Sequence, residues 1–255
     1  MSARVYRVEA LVLKRQRLGE ADLIVRLFCR ERGKISAVAK GARRPKSKLG
    51  GATEPGIRLT AQLARGRSLE VLAQAQTVAS RLGLRADLRR AAAAAYLLEL
   101  TEAALEERQP ATELYDLLDT ALDELCACAE PVTLTHAFEL QALGCLGFQP
   151  ALYECVVDGV ELPDGGPRFD PARGGLICPG CELSGAGGMA VSPATVRALR
   201  GLSRLPLTEA GRTRLLPATV PELARLLPAF VRHSLEAPLR SLGFWNEVAG
   251  GPDEE

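Results

Sequence analysis

The chain is poor in the residues that most often announce chemistry. Its 255 residues include two histidines, one tryptophan, four tyrosines and six phenylalanines. So few aromatics leave little for base stacking, and so few histidines leave little for acid–base catalysis near neutral pH. Long apolar runs are also missing, and none approaches the roughly 18 residues of a membrane-spanning helix. The opening MSARVYRVEALVLKRQR alternates apolar and charged positions, without the continuous apolar core of a secretion signal. The chain therefore reads as cytoplasmic, where its seven cysteines stay reduced and act as packing groups or metal ligands.

Catalytic signatures are absent as well. There is no GxxxxGK(S/T) phosphate loop, no GxSxG nucleophile elbow, and no carboxylate cluster among the basic residues to hold magnesium. His136 and His233 each fall in an apolar helical stretch, where packing or capping is the ordinary role. No catalytic residue is assigned, and the protein is not expected to be an enzyme.

Charge, by contrast, is plentiful and sorted along the chain. A net charge of +1 conceals +12 over residues 1–81, −8 over 82–150 and −3 over 151–255. Solubility does not require such sorting; a basic module beside an acidic remainder is the footprint of a polyanion binder. In the basic part, Lys14, Arg15 and Arg17 close one predicted strand, and Arg26, Arg30 and Lys34 surround the next turn. Lys40, Arg43, Arg44, Lys46 and Lys48 place five cations in nine positions of a Gly/Pro-containing loop. Arg81, Arg85 and Arg89, at helical spacing, would extend the patch along one face. Tyr6 and Phe28 are the only aromatics there, so contact should be with phosphates, on single and double strands alike and without sequence choice.

The texture of the chain predicts an α+β, multidomain protein. Period-two alternation at Val5–Lys14, Asp22–Arg30, Lys34–Lys40, Ile57–Leu63 and Leu69–Ala75 predicts five short strands within residues 1–80. The Arg65-Gly66-Arg67 turn separates the last two. A five-stranded barrel of the oligonucleotide-binding (OB) type fits that size, as does another small barrel. Residues 81–150 and 190–248 predict amphipathic helices packed as a bundle. Pro110 and Pro131 bound two of them, Ser192-Pro193 starts another, a further helix spans Thr219–Leu242, and the tail beyond Val248 is loose. Residues 151–189 form an insertion too poor in apolar residues for a core of its own. Within it, Cys155 and Asp158 precede Cys178 and Cys181 at the spacing of a zinc-ribbon-like site, which would be structural because four ligands leave no open position. Cys29 and Cys145 sit in apolar runs and read as core; Cys126 and Cys128 point to different faces.

The stretch EALVLKRQRLGEADLIVRLFCRERGKISAVAKGARRPKS resembles the start of the bacterial RecO family. The resemblance rests on Val12-Leu13, Gly19-Glu20-Ala21-Asp22, Gly33-Lys34-Ile35 and Ala39-Lys40-Gly41-Ala42-Arg43-Arg44. The order of barrel, helices, cysteine segment and final helix (FVRHSLEAPLRSLGF) is similar too. It implies an OB-type barrel, a helical domain with an embedded Zn2+ site, and a DNA-repair recombination mediator that binds ssDNA and dsDNA at the nucleoid. It further implies ATP-independent annealing and help in loading RecA onto strands coated by single-stranded-DNA-binding protein (SSB), together with RecR. Many family members carry four cysteines in the metal motif, where this chain has Asp158. The acidic SSB tail ends in apolar residues and asks for an apolar dock with a cationic rim. Two places qualify: Arg85, Arg89 and Arg90, or Arg197, Arg200 and Arg204 beside Val196 and Leu199. The alternative from another class is a structural adaptor whose basic barrel binds acidic proteins.

Overall fold

Alternation does produce five strands: β1 (Val5–Leu18), β2 (Asp22–Cys29), β3 (Gly33–Ala39), β4 (Arg58–Ala64) and β5 (Glu70–Ala79). They close into a barrel in the order β1-β2-β3-β5-β4. The computed structural model describes residues 5–66, 68–163 and 166–249, so Arg67 of the β4–β5 turn lies outside the described residues. A bulge between Val12 and Lys14 bends β1, whose first half pairs with β4 and whose second half pairs with β2. Val8, Val12, Val25, Leu27, Ile35, Leu59 and Leu63 fill the interior.

Leu11 and Phe28 are out of phase with that lining and face outward, yet both are 0% exposed. Two helices cover them, α2 (Leu88–Ala104) and α3 (Thr112–Leu125), which follow the short α1 (Lys48–Ala52) in chain order. Helix α2 lies against β1. Tyr115 of α3 meets Phe28 edge-on with ring centroids 5.3 Å apart. The α2–α3 linker extends the β3 edge: the Arg108 N–H donates to the Lys34 carbonyl at 2.9 Å. Gly33 (φ +69°) permits this, because the Gln109 carbonyl occupies the space a Cβ would need. The barrel thus has apolar surface inside and outside β1–β2, and residues 1–126 form one compact unit, 127–255 the other. The composition break near residue 80 separates the barrel from its own cover, and the expected single bundle is shared between the two units.

Arg81 does not begin a helical face with Arg85 and Arg89. Its backbone is left-handed (φ 50°) and precedes a 3-10 turn, Leu82–Arg85. Helix α2 starts separately behind Asp87, whose carboxylate accepts from the Arg90 N–H at 3.0 Å.

The second unit contains α4 (Pro131–Cys145), β6 (Ala151–Cys155), β7 (Arg168–Asp170), β8 (Gly175–Ile177), α5 (Pro179–Leu183) and β9 (Met189–Ala190). Then come α6 (Pro193–Leu202), α7 (Leu207–Ala210), α8 (Val220–Leu235) and α9 (Ser241–Ala249). As expected, Pro131 opens α4, and the Ser192 hydroxyl caps α6 by accepting from the Thr195 N–H at 3.2 Å. Helix α4 is not amphipathic: eleven of its fifteen residues are buried, and it is the central helix, packed by α6, α7 and α8. His136 is one of the eleven and sits 2.7 Å from the buried Glu139 carboxylate, a packing role. The helix expected over Thr219–Leu242 stops at Leu235, because Pro238 cannot continue it and Glu236 turns left-handed (φ 49°). Ala249, beyond Val248, still belongs to α9, and the rest of the tail expected to be loose, residues 250–255, lies outside the described residues. Cys29 is core as expected, but Cys145 is exposed at the α4 end. No helix among the described residues is long and apolar enough to cross a membrane.

Candidate nucleic-acid interface and metal centre

Strand pairing sorts the barrel cations into two groups. Lys14 pairs with Arg26 across β1–β2, and Arg26 with Ser36 across β2–β3, so the three form one row on the outward face. Carboxylates of the cover lie over that row. Glu102 of α2 sits 3.5 Å from Lys14 and 3.2 Å from Arg26, and Glu107 sits 3.7 Å from Arg26. Glu107 also accepts from the Ser36 hydroxyl at 3.1 Å. Arg30 makes a two-point contact with Asp116 of α3 at 2.9 and 2.8 Å, and this bond holds the Asp116 carboxyl below its usual range. Lys34 is buried and donates to the Glu102 carbonyl at 2.9 Å. Lys14, Arg26, Arg30 and Lys34, expected to be DNA ligands, are therefore engaged by the protein itself.

The second group lies where the β1–β2 hairpin meets the β3–α1 connection. Arg17 is opposite Leu23, and Leu23 is opposite Ala39, which brings Arg17 and Lys40 to the same end of the barrel. Arg43 pins the connection to the hairpin by donating to the Gly19 and Glu20 carbonyls at 3.2 and 2.8 Å. The Gly41 N–H donates to Asp22 at 2.7 Å. Arg43 is thus a tether, and Arg15 pairs with Glu54 at 2.6 Å, which also takes Arg85 at 3.4 Å. Arg17, Lys40, Arg44, Lys46 and Lys48 remain exposed, with no side-chain ion pair or hydrogen bond among the described residues. A cleft of about 450 Å³, lined by Arg15, Gln16, Arg17, Ala42, Arg43 and Glu54 among others, opens at this end.

Neither barrel aromatic is free to stack on a base. Phe28 is under α3, and Tyr6 donates to the buried Glu70 carboxylate while Arg32 lies 4.7 Å over its ring. Partial burial and that bond push the Tyr6 phenol up to about 12. Sequence patterns did not single out the other clamp, in which buried Arg81 donates to Asp123 at 2.8 Å and to the Gly56 carbonyl at 3.0 Å. Arg81 also pairs with Asp119, which takes Arg58 at 2.6 Å. Their separation in sequence gives no local signal.

The two expected docks fare differently. Arg200 is committed within its unit: it donates to the Leu152 and Pro163 carbonyls at 2.9 and 2.7 Å and stacks 4.3 Å over Tyr153. Arg204 leans on the same ring at 5.2 Å, Arg197 is exposed, and Val196 and Leu199 are buried in the core of their own unit. Near Arg85 and Arg89, by contrast, Leu82 and Leu88 are 70% and 63% exposed, although Arg90 donates to the Cys126 carbonyl at 2.9 Å.

The four expected metal ligands do meet. Cys155 ends β6, Asp158 sits in the following turn, Cys178 caps α5 and Cys181 is one turn in. Their ligand atoms all lie within 4.8 Å of one another. Asp158 accepts from the Cys178 and Cys181 thiols at 3.3 and 3.1 Å. Backbone N–H groups of Cys178 and Cys181 turn on the Cys155 and Cys178 sulfurs, both at 3.3 Å. Burial opposes ionisation of Cys155, but the N–H groups of Cys178, Asp158 and Val157 outweigh it and lower its pKa. Bonds from Cys155 and Cys181 hold Asp158 well below the usual carboxylate range. Cys181 goes the other way, its thiol pushed up to about 12 by the bond it makes to Asp158. Three sulfurs and one ionised oxygen are a donor set that fits a tetrahedral metal with bonds of about 2.0–2.3 Å, which would displace the remaining thiol protons.

Family models agree along nearly the whole chain. The model described as Recombination protein O N terminal matches residues 1–81, and Recombination protein O C terminal matches residues 85–243. The chain belongs to the RecO family. A DNA repair protein RecO of Symbiobacterium thermophilum is 39% identical over 243 residues, covering 94% of this chain and 96% of the relative. The relative of the same name from Roseiflexus is 37% identical over 248 residues, covering 97% and 87%. That of Myxococcus xanthus is 36% identical over 244 residues, covering 95% and 98%. The two family models divide near residue 81, where composition changes, although the cover helices beyond that point pack with the barrel.

Proposed function

We propose that the chain is a DNA-repair recombination mediator that acts by binding and pairing strands, without catalysis. The observation that carries this is the set of five exposed cations, Arg17, Lys40, Arg44, Lys46 and Lys48, gathered at one end of the barrel without a side-chain partner among the described residues. The closed order of the five strands supports reading the barrel as OB-type. Cationic side chains on a hairpin and a connection follow a phosphate backbone without reading bases, so single and double strands both bind. Annealing follows from the same charge: two polyanions approach each other when a cationic surface displaces their condensed counterions. Base pairing then supplies the specificity, and the lack of a stacking platform favours release of the product duplex.

The metal the Cys155, Asp158, Cys178 and Cys181 set would hold is zinc, in a structural role that cross-links β6, its turn and α5. The names of the relatives, DNA repair protein RecO, support work in DNA repair. Action at the nucleoid with SSB, RecR and RecA as partners is our proposal, as the family resemblance implies. For the acidic SSB tail, exposed Leu82 and Leu88 beside Arg89 offer the better dock. The deciding experiment is annealing of SSB-coated complementary oligonucleotides by the full chain without ATP. Acceleration that disappears on charge reversal of the five cations is expected. No acceleration, together with equal affinity for an acidic polypeptide, would leave a protein adaptor as the better reading.

A further inference from the structure

The strand face of the barrel and its loop end carry the same kind of charge, but carboxylates of the cover lie over the strand-face cations, whereas at the loop end Glu54 takes Arg15 and five other cations stay exposed. In OB-type barrels the face of strands 2 and 3 is a usual place for an oligonucleotide. On this chain the lower row of that face, Leu11, Phe28 and Lys34, is buried under the cover. The next row, Lys14, Arg26 and Ser36, is bridged by Glu102 and Glu107, and Arg30 is held by Asp116. The cations are at the surface, with side chains 42%, 33% and 46% exposed for Lys14, Arg26 and Arg30. Glu107 and Asp116 are likewise about half exposed, at 50% and 52%. A phosphodiester strand crossing this face would meet the cations it needs and two anions already on them.

We infer that Glu107 and Asp116, with Glu102 beneath them, determine the footprint on nucleic acid: they stand in for backbone phosphates on the strand face and confine the polyanion to the hairpin-and-loop end. The inference rests on the function proposed above. Exposed ion pairs hold weakly, so the carboxylates exclude DNA by occupying the cations and repelling phosphate. A short footprint suits a protein that must let go of the duplex it forms, because each phosphate contact removed weakens salt-dependent binding.

The test uses the full chain and fluorescent single-stranded and duplex oligonucleotides over a range of salt. Glu107→Gln with Asp116→Asn frees Arg30 and leaves Arg26 with Glu102 alone, removing both exposed carboxylates without touching a buried group. Its fold is checked by circular dichroism and melting. Affinity should rise several-fold at low salt, and the slope of log affinity against log salt should steepen by roughly 0.9 per added contact on duplex DNA. A matched variant, Glu106→Gln with Glu113→Gln, makes the same change in net charge at exposed positions that hold no barrel cation. It should leave the slope unchanged. Adding Arg26→Gln and Arg30→Gln to the first variant should remove the gain. An unchanged slope in the folded first variant, or an equal gain in the matched one, would falsify the inference and leave the ion pairs purely structural. A wild-type chain that binds neither oligonucleotide would instead sink the function itself, and this inference with it.

Discussion

Arg26 and Arg44 are the same residue type in the same barrel, and they have opposite fates. Arg26 stands in a strand row beneath Glu102 and Glu107; Arg44 stands exposed on a connection, without an ion pair among the described residues. The difference lies in what covers each region. The strand face is apolar at Leu11 and Phe28, so it recruits α2 and α3, and those helices bring acidic residues with them. At the loop end Arg15 and Arg43 are taken by Glu54 and by backbone carbonyls, while Arg17, Lys40, Arg44, Lys46 and Lys48 stay exposed. The availability of a charge is thus decided by the packing of its apolar neighbours.

The largest effect expected from this contrast is on DNA affinity. Reversing Arg17, Arg44, Lys46 and Lys48 to Glu should weaken binding of every sequence by roughly a hundredfold or more near physiological salt, with a flatter salt slope. Oligonucleotide titration of each variant checks it. Reversal of Lys14 and Arg26 should cost much less, and equal losses from both sets would break the contrast.

Phe28 sharpens it from the other side. As a packing residue under Tyr115, Phe28→Ala should lower stability by about 3–5 kcal/mol. Denaturant unfolding reads the loss, and a stable variant that fails only in DNA binding would make Phe28 a stacking residue. By the same logic a chain cut after residue 80 exposes Leu11 and Phe28 and should aggregate, whereas one ending at 126 keeps its cover.

The metal motif extends the comparison to the second unit. Elemental analysis should find about one zinc per chain, and a chelator should loosen the β6–β9 sheet while sparing the affinity of the barrel for DNA. Asp158→Cys should tighten metal retention in a competition assay, since a thiolate suits zinc better than an exposed carboxylate, and Asp158→Ala should weaken it.

The smallest expected effect is at Tyr6. Its folded pKa, about 12, lies above the ordinary 10.0, so the neutral phenol is the form the fold prefers. The stability it contributes is complete below pH 10 and is lost as pH rises from 10 to about 12. Ultraviolet titration should show a phenolate step near pH 12 that Tyr6→Phe removes, with the buried Tyr115 titrating later still. A phenol titrating at its ordinary value would mean that Tyr6 does not hold its bond to the buried Glu70 carboxylate.

What the amino-acid sequence determined by itself was local. Alternation places all five strands to within a few residues, Pro131 and Ser192-Pro193 begin helices where expected, and Cys155 with Asp158 meets Cys178 with Cys181, each pair held by its own short turn. These signals survive because strand, cap and ligand spacing act over a few residues, where neighbours in sequence are neighbours in space. Outward Leu11 and Phe28 were visible as apolar residues in the wrong phase, but nothing local says what will cover them. The tertiary structure alone decided that α2 and α3 pack with the barrel, that Arg81 is a buried clamp, and that Lys14, Arg26, Arg30 and Lys34 are engaged while Lys40 and Lys48 are not. Their partners lie dozens of residues away, as Arg30 and Asp116 do at a separation of 86. A charge acts on whatever carboxylate the fold brings within a few ångströms, and only packing sets that distance.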